Sequence, residues 1–179
     1  MDFYNARERA EAAHRDYPGL KLMAYPHGLQ CSSWLIEPEI LGLNLAAYFF
    51  NGWDAALVYF FPMGYDSRYW KAFADAVSLA AKWEGFISGA KRMDDKVEIV
   101  PSADWPKPDA KAFHRTIPSF RNVSFLQHVA YGKDDEVVVA VFNYNTTQMA
   151  TFTVRFDGVQ TQHSVPPARV RVFKFRLKS

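Results

Sequence analysis

The sequence has one cysteine, Cys31, among 179 residues. A single cysteine excludes an internal disulfide framework, so packing and backbone pairing must hold the fold together. Lys and Arg number 21 against 19 Asp and Glu, which gives a net charge of +2. The basic residues are scattered rather than gathered into a stripe, and we therefore expect no nucleic-acid partner.

Long apolar runs are also missing. The first twenty residues carry Glu, Arg, His and Asp throughout, which excludes the apolar centre of a secretory signal there. No run reaches the length of a membrane-spanning helix. We expect a soluble chain with no membrane partner, and its cellular location stays open.

Motifs for metals, nucleotides and nucleophilic catalysis are absent. The histidines lack HExxH spacing, and neither GxGxxG nor GxxxxGK[ST] occurs. Cys31 and Ser32 have no base at a recognisable spacing, which argues against a thiol or hydroxyl nucleophile. The sequence therefore predicts neither a metal site nor a cofactor.

Aromatic residues are abundant, at 16% of the chain. Ring faces stack on the apolar faces of sugars, and rings also fill protein cores. Both uses stay open for this chain, and carbohydrate is the partner that the excess of rings favours.

Helices and strands alternate in the N-terminal half. The patterns predict helices over Asp2–Arg15, Pro38–Phe50 and Ser67–Ile87, with strands over Leu20–Tyr25 and Asp54–Phe61 between them. Alternation of this kind predicts parallel strands joined by right-handed crossovers.

Two packing expectations follow for this half. The apolar run from Asp54 does not alternate, which is typical of a parallel strand covered on both faces. The third helix carries apolar residues that we expect to form one buried stripe. Its members are Tyr69, Trp70, Phe73, Val77, Ala80, Ala81 and Trp83.

Beyond Met93 the sequence changes to prolines and then to strands. Pro101, Pro106 and Pro108 indicate an irregular connector with one short strand, KVEIV. Four further strands are predicted, with DGVQTQHSVPP as a loop before the last. They cover Ser124–Gly132, Glu136–Tyr144, Met149–Phe156 and Ala168–Arg176.

The predicted fold class is therefore α/β plus all-β. Residues 1–92 form a partial β/α barrel-like segment with the order helix, strand, helix, strand, helix. Residues 93–121 form the connector, and residues 122–179 form a small antiparallel β-sandwich.

The order of these parts resembles the C-terminal portion of a (β/α)8-barrel glycoside hydrolase. IEPEILGLNLAAYFFNGWDAALVYFFPMGYDSRYWKAFADAVSLAAKWEGFI is similar to the seventh helix, eighth strand and eighth helix of such barrels. EVVVAVFNYNTTQMATFTVRF and VPPARVRVFKF resemble the β-sandwich that follows the barrel. The resemblance covers nearly the whole chain and implies a hydrolase of carbohydrates.

A complete barrel does not fit into this chain. Such a barrel needs about 250 residues and eight strands, and the N-terminal half supplies two. The resemblance implies that most strands bearing the paired carboxylates would lie upstream of Met1. We expect a glycoside-hydrolase-like C-terminal region without a complete catalytic pair, in a structural or carbohydrate-associated role.

Two other interpretations stay open. One is a stand-alone carbohydrate-binding module. The other is an enzyme whose composite site is built by homo-oligomerisation. Whether the chain is itself an enzyme is therefore undecided by the sequence.

Candidate site residues lie where the two N-terminal strands end. Glycoside hydrolysis needs two carboxylates at the C-terminal ends of barrel strands, and Asp66 is the one carboxylate found there. Asp66 also precedes a helix start, where it would act as a cap. The candidate substrate-binding residues are Tyr25, His27, Tyr59, Tyr65 and Trp105, of which Trp105, in the connector, is the tryptophan expected to be most exposed.

Overall fold

A computed structural model of the chain describes residues 3–24, 37–56, 66–105 and 125–177. These residues hold three α-helices, nine strands and one 3₁₀ turn, so the chain is mixed α/β with a strand-rich second half. The chain divides into two units, Met1–Ala90 and Lys91–Ser179.

The first unit has the predicted order of elements. Its helices are α1 (Phe3–Asp16), α2 (Pro38–Phe50) and α3 (Ser67–Ile87), and its strands are β1 (Met23–Ala24) and β2 (Ala55–Ala56). The bounds of α2 and α3 are those predicted, because Pro38 fits a first helical turn and Asp66 caps the start of α3.

Strands β1 and β2 form a parallel pair with Met23 opposite Ala55. Asp54, just before β2, fixes this register through two hydrogen bonds to Leu22, one made by its side chain and one by its backbone. Its Oδ2 accepts the N–H of Leu22 at 2.8 Å, and its own N–H donates to the Leu22 carbonyl at 2.9 Å. Hydrogen bonds from this one residue therefore hold the two strands side by side.

Only one face of the described strand pair is covered. Ala56 packs against Ala6 and Tyr48, on the helix side. Met23 is 60% exposed and its partner Ala55 is exposed as well. At Ala55 the predicted cover on both faces is not observed, because the described residues place helices on the other side of the pair. Residues 57–61, which hold most of the apolar run behind that prediction, lie outside the described residues. We call the side of Met23 and Ala55 the open face.

Helix α2 is covered almost all round and lies close to α3. A Cβ added at Gly42 would stand 3.3 Å from the Ala72 carbonyl oxygen, so glycine permits the close approach of the two helices. Trp53 ties this pair to α1: its Nε1–H donates to the Ala6 carbonyl at 2.9 Å, and its ring meets Tyr48 edge to face at 5.3 Å.

The apolar residues of α3 do not form one buried stripe. Tyr69 and Ala76 are buried, whereas Trp70 is 55% exposed and Val77 is 38% exposed. The prediction is wrong because only part of this apolar surface is covered, while α2 approaches α3 at Ala72. An apolar side of α3 is left facing solvent.

The second unit is built from two antiparallel sheets. Their strand orders are β3-β5-β6-β9 and β4-β7-β8. The strands are β3 (Lys91–Arg92), β4 (Glu98–Pro101), β5 (Leu126–Lys133), β6 (Glu136–Asn143), β7 (Ala150–Phe156), β8 (Val159–Val165) and β9 (Arg169–Arg176).

The two sheets pack face to face around one apolar core. Alternate residues of each sheet supply it, and the buried members include Val137, Val139, Val141, Phe152 and Val154. Strand β6 does not alternate because its other face is buried too, at Val138, Ala140 and Phe142. The antiparallel sandwich is therefore a unit with a closed core.

Two segments differ from the sequence interpretation. The short strand of the connector, β4, pairs with β7 as a full member of its sheet. The segment predicted as a loop before the last strand contains β8, which pairs with β7 through a tight turn at Asp157 and Gly158, both with positive φ. Strand β8 was missed because few of its residues are apolar, as is common at the edge of a sheet.

A buried amide holds the loops at one end of the sandwich. Asn143 is fully buried, and its Nδ2 lies 2.9 to 3.1 Å from the carbonyl oxygens of Gln148, Val165 and Pro166. Its Oδ1 accepts the N–H of Asn145 at 3.0 Å. This one side chain joins the end of β6 to the segments before β7 and β9.

Asn143→Asp should destabilise the second unit strongly. The new carboxylate would place negative charge against three carbonyl oxygens in a buried site, at a cost of roughly 3 kcal/mol or more. Urea unfolding at neutral pH measures the free energy change. Gln162→Glu, the same amide-to-acid change at an exposed position of β8, is the control and should cost little. Equal losses in both variants would contradict the role of Asn143.

Candidate functional site

The predicted sugar contacts at the strand ends are Tyr25, His27, Tyr59 and Tyr65. All four lie outside the residues that the structure describes. They stay predictions from the sequence.

Asp66 is engaged as a helix cap. Its Oδ1 accepts the backbone N–H of Arg68 at 2.8 Å, and the Arg68 guanidinium donates to both carboxylate oxygens at 2.7 to 3.1 Å. The hydrogen bonds from the Arg68 side chain and backbone lower the pKa of Asp66. A general acid needs a raised pKa instead. The hydrogen bonds of Asp66 are therefore those of a helix cap.

Trp105 differs from its expected exposure. The side chain is half-buried and packs against the core of the sandwich. Its Nε1 is buried and has no hydrogen-bond partner among the described residues. A ring held against the core in this way has less of its surface free for a sugar than a fully exposed one.

A groove of about 390 Å³ opens in the first unit, at the start of β2. Its walls are mostly apolar and come from the end of α2 and the second half of α3; they include Phe49, Phe50, Trp53, Val77, Ala81 and Ile87. In a (β/α)8 barrel the chemistry lies at the opposite, C-terminal ends of the strands. The groove is therefore badly placed for the hydrolysis that the resemblance implies.

The charged pair in the groove serves the strand register. Lys21 Nζ lies 2.9 Å from Asp54 Oδ1. Burial works against the ionisation of Asp54, but the hydrogen bonds from Lys21 and from the Leu22 N–H outweigh it and lower the pKa of Asp54. The same carboxylate raises the pKa of Lys21. Both groups are charged and already paired with each other.

A second polar and aromatic region lies where β8 and β9 meet, and we call it the β8–β9 seam. These are the outer strands of the two sheets, and no sheet pairing joins them. The centroid of the His163 ring on β8 lies 4.3 Å from that of Phe173 and 5.6 Å from that of Phe175, both on β9. Its Nε2 is 2.9 Å from Thr161 Oγ1. Burial lowers the pKa of His163.

Sequence reasoning missed the seam because it assigned His163 to a loop. The sequence nevertheless contains two signals for strand β8. The pair Asp157-Gly158 is a hairpin turn signal, and VQTQHSV after it alternates with period two.

The described residues hold no group of three or more His, Cys, Asp or Glu side chains placed to bind a metal ion. Within the same residues, no helix has the length and apolar character needed to cross a membrane. No protein-family model and no curated protein matches the sequence.

Substitutions at Asp66 should separate capping from catalysis. Asparagine caps helices as well as aspartate does, whereas alanine does not. We expect Asp66→Ala to lower the Tm and Asp66→Asn to change it little, as measured by circular dichroism. Ser67→Ala, at the next and non-capping position, is the control. A loss of hydrolytic activity in Asp66→Asn, in any assay that detects hydrolysis, would contradict a purely capping role.

His163 should make the stability of the sandwich depend on pH. Since burial lowers the pKa of the ring below the ordinary value of about 6.5, the unfolded chain takes up the proton first. Stability is complete above about pH 6.5 and falls as pH drops from there to the native pKa. The Tm measured between about pH 7.5 and about pH 5 should fall less in His163→Gln than in the natural protein.

Thr161→Val is the matched control for this effect. It removes the hydrogen-bond partner of the ring but keeps the titrating group, so the fall of Tm with pH should persist. Parallel curves for His163→Gln and the natural protein would show that His163 does not cause the effect.

Proposed function

We propose that this chain is the C-terminal region of a (β/α)8-barrel glycoside hydrolase, with scaffold and carbohydrate-contact roles and no complete catalytic pair of its own. The observation that carries the proposal is the parallel β1–β2 pair with helices on one face and the open face of Met23 and Ala55 on the other. Parallel sheets are normally covered on both faces, and in a barrel the inner face is covered by the other strands.

The distribution of exposed apolar side chains supports the same proposal. Six large apolar residues are strongly exposed among the described residues, and five of them belong to the first unit. These five are Tyr17, Leu20, Met23, Trp70 and Val77, and the sixth is Met149. A unit that leaves this much apolar surface in water is suited to packing against further polypeptide.

The order of the two units also supports it. A β/α segment followed by an antiparallel sandwich is the arrangement that the sequence resemblance implies. The sandwich closes its own core and carries the β8–β9 seam, in which ring edges and polar groups lie side by side. Surfaces of that composition suit sugars, which present apolar faces and hydroxyl groups together.

A stand-alone carbohydrate-binding module is the second candidate function. The core of the second unit favours it, because the apolar residues between the two sheets are buried by the sheets themselves. The two candidates differ in what they require of the open face: the barrel region leaves it to be covered by other strands, and the module does not.

The mass in solution distinguishes these candidates. If the open face and the exposed side of α3 await a covering partner, the isolated chain should self-associate, with a mass above the 20.5 kDa of one chain that rises with concentration. Light scattering behind size exclusion measures it. The double variant Met23→Lys/Trp70→Lys should return the mass toward one chain.

Met149→Lys is the matched control, since Met149 is 50% exposed but belongs to the second unit. It should leave the association unchanged. A natural chain that stays monomeric at high concentration would overturn the barrel-region proposal and favour the stand-alone module. A defined oligomer with hydrolytic activity would instead support the composite site built by several copies.

A further inference from the structure

The strand β9 carries an alternating row of side chains along the β8–β9 seam. Phe175 and Phe173 pack partly on the core of the sandwich. The next two side chains on the same face, Arg171 and Arg169, are exposed. The row therefore changes from half-buried rings to cations within one strand.

The two arginines have no carboxylate partner among the described residues. Arg171 Nη1 lies 3.3 Å from the Ser164 carbonyl oxygen across the seam, and Arg169 Nη1 lies 3.3 Å from the Ala168 carbonyl oxygen. These long contacts to neutral oxygens leave most of the donors of each guanidinium unused.

The other cations of β9 are neutralised. Lys174 Nζ lies 2.7 Å from Glu136 Oε1, and Arg176 Nε lies 3.6 Å from Asp135 Oδ2. Within β9, positive charge without a carboxylate partner is therefore concentrated at Arg169 and Arg171. Arg171 is the neighbour of Phe173 in this row, and the Phe173 ring lies beside that of His163. This difference within one strand is the reason to look for a ligand at that end.

We propose that Arg169 and Arg171, beside Phe173 and His163, bind an anionic sugar residue that carries a carboxylate or a sulfate group. A guanidinium binds such groups through two parallel N–H···O bonds, and side chains two residues apart on a strand stand roughly 7 Å apart, so both can face one extended ligand. The half-buried rings offer an apolar edge to the sugar ring. The proposal deepens the carbohydrate role of the proposed function and rests on it.

Affinity gel electrophoresis of the full chain tests the proposal. The probes are polygalacturonate for carboxylates, dextran sulfate for sulfates and dextran as the neutral polysaccharide. We expect retardation by one or both anionic probes, and the two arms show which anion is preferred. Arg169→Gln/Arg171→Gln should weaken that binding about tenfold, because two charge-assisted contacts are lost.

The matched control removes equal charge from the same strand. Lys174→Gln/Arg176→Gln takes away two positive charges that already have carboxylate partners, and should weaken binding far less. Arg169→Lys/Arg171→Lys keeps the charge and loses the planar fork, so it should fall between the natural chain and the glutamine variant. Circular dichroism shows whether each variant is folded. If the glutamine variant is unfolded, the binding of the lysine variant tests the proposal in its place.

The outcomes separate this inference from the proposed function. Equal weakening in the two glutamine variants would mean attraction by overall charge and would overturn a site at the seam. Retardation by dextran alone, unchanged in all variants, would uphold the carbohydrate role and overturn the anionic site. No retardation by any of the three probes would overturn the anionic site and remove the support that carbohydrate contact gives to the proposed function.

Discussion

The first unit depends on the pairing of two parallel strands that a single carboxylate holds in register. Asp54 forms hydrogen bonds to Leu22 with both its side chain and its backbone, and its carboxylate is paired with Lys21. Because the strands are parallel, a crossover helix must connect them, and that helix covers one face of the pair. How much apolar surface this unit exposes then depends on what covers the other face of the pair.

The two units differ in how they bury their apolar residues. In the sandwich, two sheets cover each other, and buried polar groups such as Asn143 and Asp94 are satisfied by nearby backbone. Asp94 accepts the N–H of Ala130 and the Nε–H of Arg92, both at 2.7 Å. In the first unit the helices are well packed, yet Met23 and Trp70 remain in solvent. The apolar core between the two sheets is therefore closed within the second unit, whereas part of the apolar surface of the first unit is exposed.

Sequence patterns predicted what is set locally. The bounds of α2 and α3 follow from Pro38 and from the cap at Asp66, and both act within one helical turn. The exposure of Trp70 and Val77 could not be read in the same way, because a helix pattern shows which residues are apolar and not which side another element will cover. Strand β8 was missed because an edge strand needs few apolar residues.

The candidate site shows the same division. The capping role of Asp66 was one of the two readings open from the sequence, and the geometry accounts for it. The seam depends on β8 and β9 meeting from different sheets, and their residues are separated by a turn in the chain. No spacing rule connects His163 with Phe173, so the tertiary arrangement had to be seen before the pair could be recognised.

The electrostatics of the described carboxyl groups bear on the division of labour that we propose. Asp54, Asp66 and Asp104 each have a lowered pKa, and in each case a nearby donor stabilises the charged form: Lys21, Arg68 and Ser102 respectively. A glycosidase needs one carboxyl group whose pKa is raised, so that it still holds a proton near neutral pH. In the structure Asp54 instead holds the strand register, and Asp66 caps α3. The role that we propose for the described residues is therefore contact with carbohydrate, and we propose that Arg169 and Arg171 of the seam give this contact a preference for negative charge.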